Sequence, residues 1–287
     1  MTLADLQPKI FQEFHHILKT GRLSHAYLFS GNFGSYEMAL FLAQSQFCEN
    51  LQDSLPCGQC RECRLIAERD FSDVKVIEPQ GNVIKTDTIR ELLRDFTRSG
   101  FEGKSQVFII RDADKMHINA ANSLLKFIEE PQSSSYMILL TSDESKVLPT
   151  IKSRCQIFRF PKNQEYLKNR LEQNGLLKAK ASLIAAVADD EASALALTEM
   201  TKFDDLCRSL EKFIAGLDKD PDQSFLQVTR LASLVTDKAE QDLAFKLLLV
   251  MLGRTRQPRQ VTKVYQARQM WLSNVSFQNV LEYMVLE

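Results

Sequence analysis

The chain is expected to fold as an α/β domain built on a parallel sheet, followed by two all-α domains. Three observations predict this. Through residue 161 short apolar runs alternate with helical patterns, and such strands need both faces covered, which parallel pairing with crossover helices provides. From Lys162 onward the strand signals vanish and only helical periodicity remains. The first apolar run ends in a glycine turn that opens a helix, the layout of a phosphate loop. The expected boundaries are 1–161, 162–206 and 207–287.

Taken in order, Tyr27-Leu28-Phe29 reads as a buried strand, and a helix from about Tyr36 to Phe47 follows the turn. Val74 to Pro79 is a second strand. Thr86 to Arg98 carries Ile89, Leu92, Leu93 and Phe96 at helical spacing, with Thr88 and Glu91 spaced as a capping box. Gln106 to Ile110 is too short and too β-branched for a helix. Asn119 to Glu130 puts Ala121, Leu124, Leu125 and Ile128 on one helix face, and Pro131 ends it. Met137 to Thr141 and Gln156 to Phe160 complete the strands, with a short helix from Lys146 to Thr150 between them. Beyond Lys162, Leu167, Leu171, Leu176, Leu177 and the stretch Ala179 to Leu197 read as short helices of a small bundle. A further helical stretch starts near Phe203 and breaks between Gly216 and Asp222. Leu243, Leu247, Val250 and Met251 then form an apolar stripe.

At 287 residues the chain is long for a single core. A composition 44% hydrophobic and 25% charged rules out a disordered chain. The formal net charge of -1 excludes a uniformly basic protein and leaves local basic patches open. No apolar run is long enough to span a membrane, and the amino terminus lacks a basic stretch followed by an apolar core. A cytosolic location is therefore expected, with the six cysteines as thiols or metal ligands rather than disulfides.

Cys48, Cys57, Cys60 and Cys63 follow the pattern C-x8-C-x2-C-x2-C. Thiolates two residues apart on a tight turn can share one metal, and Gly58 supplies permissive backbone. Four of them complete a closed tetrahedral shell of the structural zinc type, with no open position for catalysis. The spacing is not the ferredoxin run ending in Cys-Pro, and two overlapping pairs suit a metal better than redox chemistry.

The phosphate loop departs from its own pattern. G-x-x-x-x-G-K-[ST] uses Lys on the β- and γ-phosphates and Ser or Thr on magnesium. Counting from Gly31, and with Gly34 retained, the last glycine is Tyr36, the Lys is Glu37 and the hydroxyl residue is Met38. A carboxylate at Glu37 opposes phosphate charge. After the apolar strand ending at Ile110, the place of the magnesium-binding carboxylate is Arg111, followed by Asp112. Alone, that is a strand end with solvated charges; beside the altered loop, it argues against retained hydrolysis.

Arg154, in Ser153-Arg154-Cys155, sits between the short helix and the last strand. The ordinary role of such a residue is a surface ion pair. A guanidinium is also suited to reach a γ-phosphate on a neighbouring subunit, because it is planar, permanently charged and can fork onto phosphate oxygens. Glu129 and Glu130 end a helix with two carboxylates against its macrodipole, a pointer to an interface or site. His15, His16, His25 and His117 show no hydrolase spacing. Arg254 to Arg259, with Lys263, is a basic loop that reads first as solvated.

Together these residues resemble the clamp-loader branch of the AAA+ ATPases. The matching pieces are His25-Ala26-Tyr27-Leu28, the cysteine set after the first helix, Ala113-Asp114-Lys115-Met116, Ala120 through Pro131, and Ser153-Arg154-Cys155. The match covers about residues 22 to 161. It implies a P-loop AAA+ domain with a zinc module inserted at about 48–63, a small helical lid domain and a helical collar domain for oligomerisation. It further implies zinc on Cys48, Cys57, Cys60 and Cys63, and Arg154 as an arginine finger for the next subunit's ATP. The implied partners are loader subunits of the gamma/tau ATPase type and of the delta type, and, through the assembled complex, the sliding clamp and primed DNA. The active gamma/tau type keeps the Lys and Thr that Glu37 and Met38 replace here, so a non-catalytic loader subunit without ATP turnover is expected. The alternatives are an autonomous ATPase with an atypical loop and a zinc-stabilised nucleic-acid-binding module.

Overall fold

The computed structural model describes residues 2–81, 83–98, 105–130, 135–217, 220–255 and 257–286. Pro131, Arg256, residues 218–219 of the expected break and the side chain of Phe96 lie outside that set. The described chain divides into two compact units, Met1–Asn163 and Gln164–Glu287.

In the first unit α1 (Leu3–Leu6) and α2 (Pro8–Lys19) precede β1 (Ala26–Ser30) and α3 (Ser35–Phe47). Then come α4 (Arg61–Ala67), β2 (Val74–Ile77), α5 (Thr86–Arg98), β3 (Gln106–Ile110), α6 (Ile118–Glu129), β4 (Ser135–Thr141), α7 (Pro149–Lys152) and β5 (Gln156–Arg159). The strands form one sheet in the order β2-β3-β4-β1-β5, and every pairing is parallel. Non-consecutive neighbours require helical crossovers, which cover both faces and explain why the strands read as continuous apolar runs. One face carries Leu28, Phe108, Ile110, Leu139 and the buried side of α6. The other carries Tyr27, Phe29, Ile109, Ile138 and Phe158, packed by α3 and by Phe14 of α2. Phe14 is fully buried, with ring centroids 5.5 Å from Tyr27, 5.5 Å from Phe29 and 4.4 Å from Phe158.

Several local expectations are corrected. Thr88 lies inside the first turn of α5, which begins at Thr86, so it does not cap that helix. The short helix before β5 is a 3-10 turn at Glu144–Lys146 followed by α7. Pro149 sets that start, since a proline is preorganised for a first helical position and its missing N–H is not needed there. At the end of the first unit Asn163 Nδ2 donates to the carbonyl of Leu6 at 3.2 Å.

The second unit is helical in its described residues: α8 (Gln164–Gln173), α9 (Lys178–Val187), α10 (Glu191–Glu199), α11 (Phe203–Gly216), α12 (Pro221–Leu234), α13 (Lys238–Arg254), α14 (Pro258–Leu272) and α15 (Phe277–Leu286). The buried face of α13 is rotated from the expected stripe. Ala244, Phe245, Leu247, Leu248, Met251 and Leu252 are buried, whereas Leu243 and Val250 are half-buried. Phe245 explains the rotation, lying 5.5 Å from Trp271 and 5.4 Å from Phe277 between centroids. Arg254 of the basic loop donates to Ser182 Oγ at 2.9 Å, and Lys263 to the carbonyl of Met284 at 3.4 Å.

The tightest point of the first unit is the end of β1. Gly31 has φ +106°, and a Cβ there would stand 2.3 Å from the carbonyl oxygen of Phe160. At Gly34, with φ +79°, a Cβ would meet Leu6 Cδ2 at 2.7 Å, the end of a flexible side chain. Gly31→Ala is expected to destabilise the first unit by about 2–4 kcal/mol, because backbone strain adds to a clash with backbone. Gly34→Ala is expected to cost about half as much, since the side chain it meets can move. Urea unfolding of the two variants checks the order; equal losses would contradict it.

Candidate functional site

The loop from Gly31 to Ser35 is held by the protein's own backbone. Gly31 N–H donates to Thr141 O at 2.8 Å and Phe160 N–H to Ser30 O at 2.7 Å, which ties the end of β1 to β4 and β5. Gln7, buried between α1 and α2, donates through Nε2 to the carbonyls of Phe33 and Pro161, each at 2.7 Å. Nothing in the sequence patterns marks this glutamine, because its partners are main-chain atoms far along the chain.

The positions that depart from the phosphate-loop pattern are sorted by solvent. Met38 is fully buried in the core under α3, and Glu37 is exposed. Tyr36 is half-buried, and two guanidinium groups stack on its ring: Arg111 at 4.7 Å and Arg69 at 5.0 Å from the centroid. Both arginines also bind Glu78 Oε1, Arg111 at 2.6 Å and Arg69 at 2.9 Å. Burial raises the Glu78 pKa, but the hydrogen bonds and charges of Arg111 and Arg69 outweigh it and hold the carboxyl below its usual value. Tyr36 and Arg111, separated by 75 positions and singled out for different reasons, therefore touch. Asp112 takes a left-handed conformation, φ 51°, and accepts from Lys115 Nζ at 3.2 Å as the chain turns away from β3. Thr141, buried at the end of β4, donates to Asp114 Oδ1 at 2.7 Å.

The four cysteines converge. The sulfurs of Cys48, Cys57, Cys60 and Cys63 all lie within 4.8 Å of one another, with Cys60 and Cys48 4.0 Å apart. Zinc–sulfur bonds of about 2.3 Å imply sulfur–sulfur edges of about 3.8 Å in a tetrahedron, so a metal of that size fits with a small contraction. Backbone N–H groups already point at the sulfurs: Cys57 N–H at Cys48, Gln59 and Cys60 N–H at Cys57, and Cys63 N–H at Cys60. The bonds from Gln59 and Cys60 lower the Cys57 thiol to about 6, whereas burial raises those of Cys48 and Cys63. The intervening loop is fastened to α2 through Asp53, whose carboxylate meets Lys19 at 2.8 Å and His15 at 3.1 Å.

Arg154 follows α7. Its Nε donates to Glu129 Oε1, and its Nη1 to the carbonyl of Thr150 at 3.0 Å and to Ser153 Oγ at 3.2 Å. Cys155 beside it packs against the core, and burial raises its thiol to about 12, so it stays protonated. The helix-terminal Glu129, odd by sequence, is thus the partner of Arg154. His25 Nε2 donates to the carbonyl of Ile128 at 2.8 Å and so caps α6 just before that glutamate. Among the described residues His15 binds backbone and Asp53, His25 binds backbone and His117 binds a helix start.

A sequence profile described as "DNA polymerase III, delta subunit" matches residues 6–164, more than half of the chain and nearly the whole first unit. The chain belongs to that family. The DNA polymerase III subunit delta' of Bacillus subtilis is 29% identical over 98% of this chain and 96% of its own length. The DNA polymerase III subunit tau of Escherichia coli is 29% identical over 88% of this chain and 43% of its own. Among solved structures, a gamma-subunit-related protein of DNA polymerase III from Thermotoga maritima superposes with a TM-score of 0.51, covering 96% of each chain at 19% identity. That last likeness speaks to fold, a parallel α/β sheet with crossover helices followed by a helical region.

Two outcomes follow. Metal analysis of the purified chain is expected to find about one equivalent of zinc, absent from Cys60→Ser, with binding weakening as pH falls because the ligands must be thiolates. A folded chain with four titratable thiols and no metal would refute the site. Restoring the loop with Tyr36→Gly, Glu37→Lys and Met38→Thr is expected to leave Mg-ATP binding undetectable by calorimetry. Met38→Thr is also expected to cost about 2 kcal/mol of stability by emptying a core position. Binding is expected only after Arg111→Asp is added, because Arg111 stands where the metal carboxylate belongs. Tight binding by the triple variant would show that Arg111 is not part of the block.

Proposed function

We propose that this chain is a non-catalytic, delta-prime-type subunit of a DNA polymerase III clamp loader that supplies Arg154 in trans to a neighbouring subunit's ATP. The observation that carries this reading is the contrast between two sites on one sheet. The chain's own phosphate loop has a buried methionine at the hydroxyl position and a solvent-facing glutamate at the lysine position. Arg154, by contrast, is held by three hydrogen-bond acceptors with its side chain 36% exposed. The near full-length likeness to a subunit delta' supports the assignment within the family.

On this reading the partners are gamma/tau-type and delta-type loader subunits and, through the complex, the sliding clamp and primed DNA, in the cytoplasm. Residues 162–206 act as the lid and 207–287 as the collar that joins the ring. The zinc held by Cys48, Cys57, Cys60 and Cys63 is structural, since four thiolates leave no ligand position open. ATP is the neighbour's substrate. The guanidinium is to stabilise charge that develops on the γ-phosphoryl oxygens, an effect that is largest where the donor is already oriented and needs no reorganisation during reaction.

The test is a reconstituted ring with clamp- and DNA-stimulated ATP turnover as the readout. Arg154→Ala is expected to leave the fold and assembly intact and to lower turnover about tenfold or more, in line with the large rate effects of arginine fingers. Unchanged turnover by an assembled variant ring would remove the finger. Tight Mg-ATP binding with hydrolysis by the isolated chain would favour an autonomous ATPase instead.

A further inference from the structure

Resting on the assignment of Arg154 just given, we propose that Glu129 is the positioning residue for its guanidinium. A glutamate as the last residue of α6 opposes the helix macrodipole, which Lys126 in the same last turn favours. Its Oε1 instead accepts the Nε–H of Arg154. Nη1 gives its two hydrogens to Thr150 O and Ser153 Oγ. Three of the five N–H groups are therefore engaged on protein acceptors, and Nη2 has no partner among the described residues. A guanidinium held in this way keeps both Nη2 hydrogens for an anionic ligand, and its plane is fixed before that ligand arrives.

Both ends of the contact are anchored in the same core. Ile128, next to Glu129, is 2% exposed, and its carbonyl is bound by His25. Ile151 and Cys155, on either side of Arg154, pack into the same cluster. Glu129 and Arg154 themselves are 47% and 36% exposed, so their pairing contributes little to stability. Its effect is on orientation. A free arginine would sample many rotamers, and a reacting group misplaced by about 1 Å loses roughly a hundredfold in rate. The carboxylate also offsets part of the positive charge that the γ-phosphate is to meet; fixed geometry outweighs this, because the remaining hydrogens still face an anion.

The experiment uses the reconstituted ring with variants of this chain: Glu129→Ala, Glu129→Gln, Glu129→Asp, Arg154→Ala and the double variant Glu129→Ala/Arg154→Ala. Glu129→Ala is expected to lower kcat for stimulated ATP turnover roughly tenfold while the KM for ATP stays within about twofold. Glu129→Asp is expected to recover most of the loss, and Glu129→Gln, which keeps size and removes charge, to behave like Ala. The double variant is expected to be no slower than Arg154→Ala alone, the non-additivity of two groups acting as one. Size-exclusion chromatography verifies that each ring assembles, and Glu129→Gln serves where Glu129→Ala does not. If kcat is unchanged in Glu129→Gln while Arg154→Ala is slow, the positioning role is refuted and the finger stands. If Glu129→Ala slows the Arg154→Ala ring by the same further factor, Glu129 acts elsewhere and the inference is wrong. If Arg154→Ala has no effect, both readings fail together.

Discussion

At the end of β1 the chain passes so close to Phe160 that only a glycine fits at position 31, and hydrogen bonds from Gly31 to Thr141 and from Phe160 to Ser30 close the gap on both sides. The site geometry follows from this contact. It aligns the carboxyl ends of β4, β1 and β5, beside which the loop from Gly31 to Ser35 begins. Open parallel sheets gather their ligand sites at such carboxyl ends because the loops there are free of ladder hydrogen bonds while the strands beneath are rigid. With the Gln7 side chain holding the carbonyls of Phe33 and Pro161, the loop keeps its shape through the protein's own hydrogen bonds. The frame can therefore persist after the ligand-binding side chains are gone.

The altered positions also have local physical reasons to be as they are. Burying Met38 adds apolar area to the core, worth about 1.5–3 kcal/mol for a side chain of that size, where a threonine hydroxyl would need a partner. Glu37 points to water at the first turn of α3, where a carboxylate favours the helix dipole. Arg111 and Arg69 share Glu78 and both pack on the Tyr36 ring, so their charge is partly offset by one carboxylate and by the ring. None of the three changes leaves an unpaired buried charge.

Much of this was legible in the sequence, for identifiable reasons. The strands were readable because burial on both faces leaves nearly unbroken apolar runs, and Gln106–Ile110 has the expected limits. The cysteine cluster was readable because metal geometry constrains spacing locally. Contacts that depend on topology were not. Tyr36 meets Arg111 because α3 follows β1 and the segment beyond β3 lies across the sheet from it, and no local pattern encodes that. Glu129 looked like a misplaced charge until its partner, 25 positions on, was brought beside it. The capping-box spacing at Thr88 misled because Thr86 and Asp87 already fill the start of that helix. On α13 the helical period was right and the phase was wrong, since aromatic contacts rather than the aliphatic stripe chose the buried side.

On the proposed reading, the remaining question is why a subunit that does no chemistry on its own nucleotide should keep so much structure around the loop. A chain of contacts runs from the cysteine module through Asp53 to α2, through Gln7 to Phe33 and Pro161, and so to the end of β5. Such a path transmits a signal only if some element along it has two arrangements. Here the buried Gln7 amide on two main-chain carbonyls and a site for a closed metal shell resist alternatives, while the exposed pairs of Asp53 with Lys19 and His15 are the looser link. The same contacts suit a fixed part. A donor offered to a neighbour's substrate works best on a frame that does not move, because its orientation is then set before the substrate arrives. Rigidity around the loop is thus consistent with a sheet that serves as a fixed frame for Arg154 and Glu129, which stand at its opposite, amino-terminal edge.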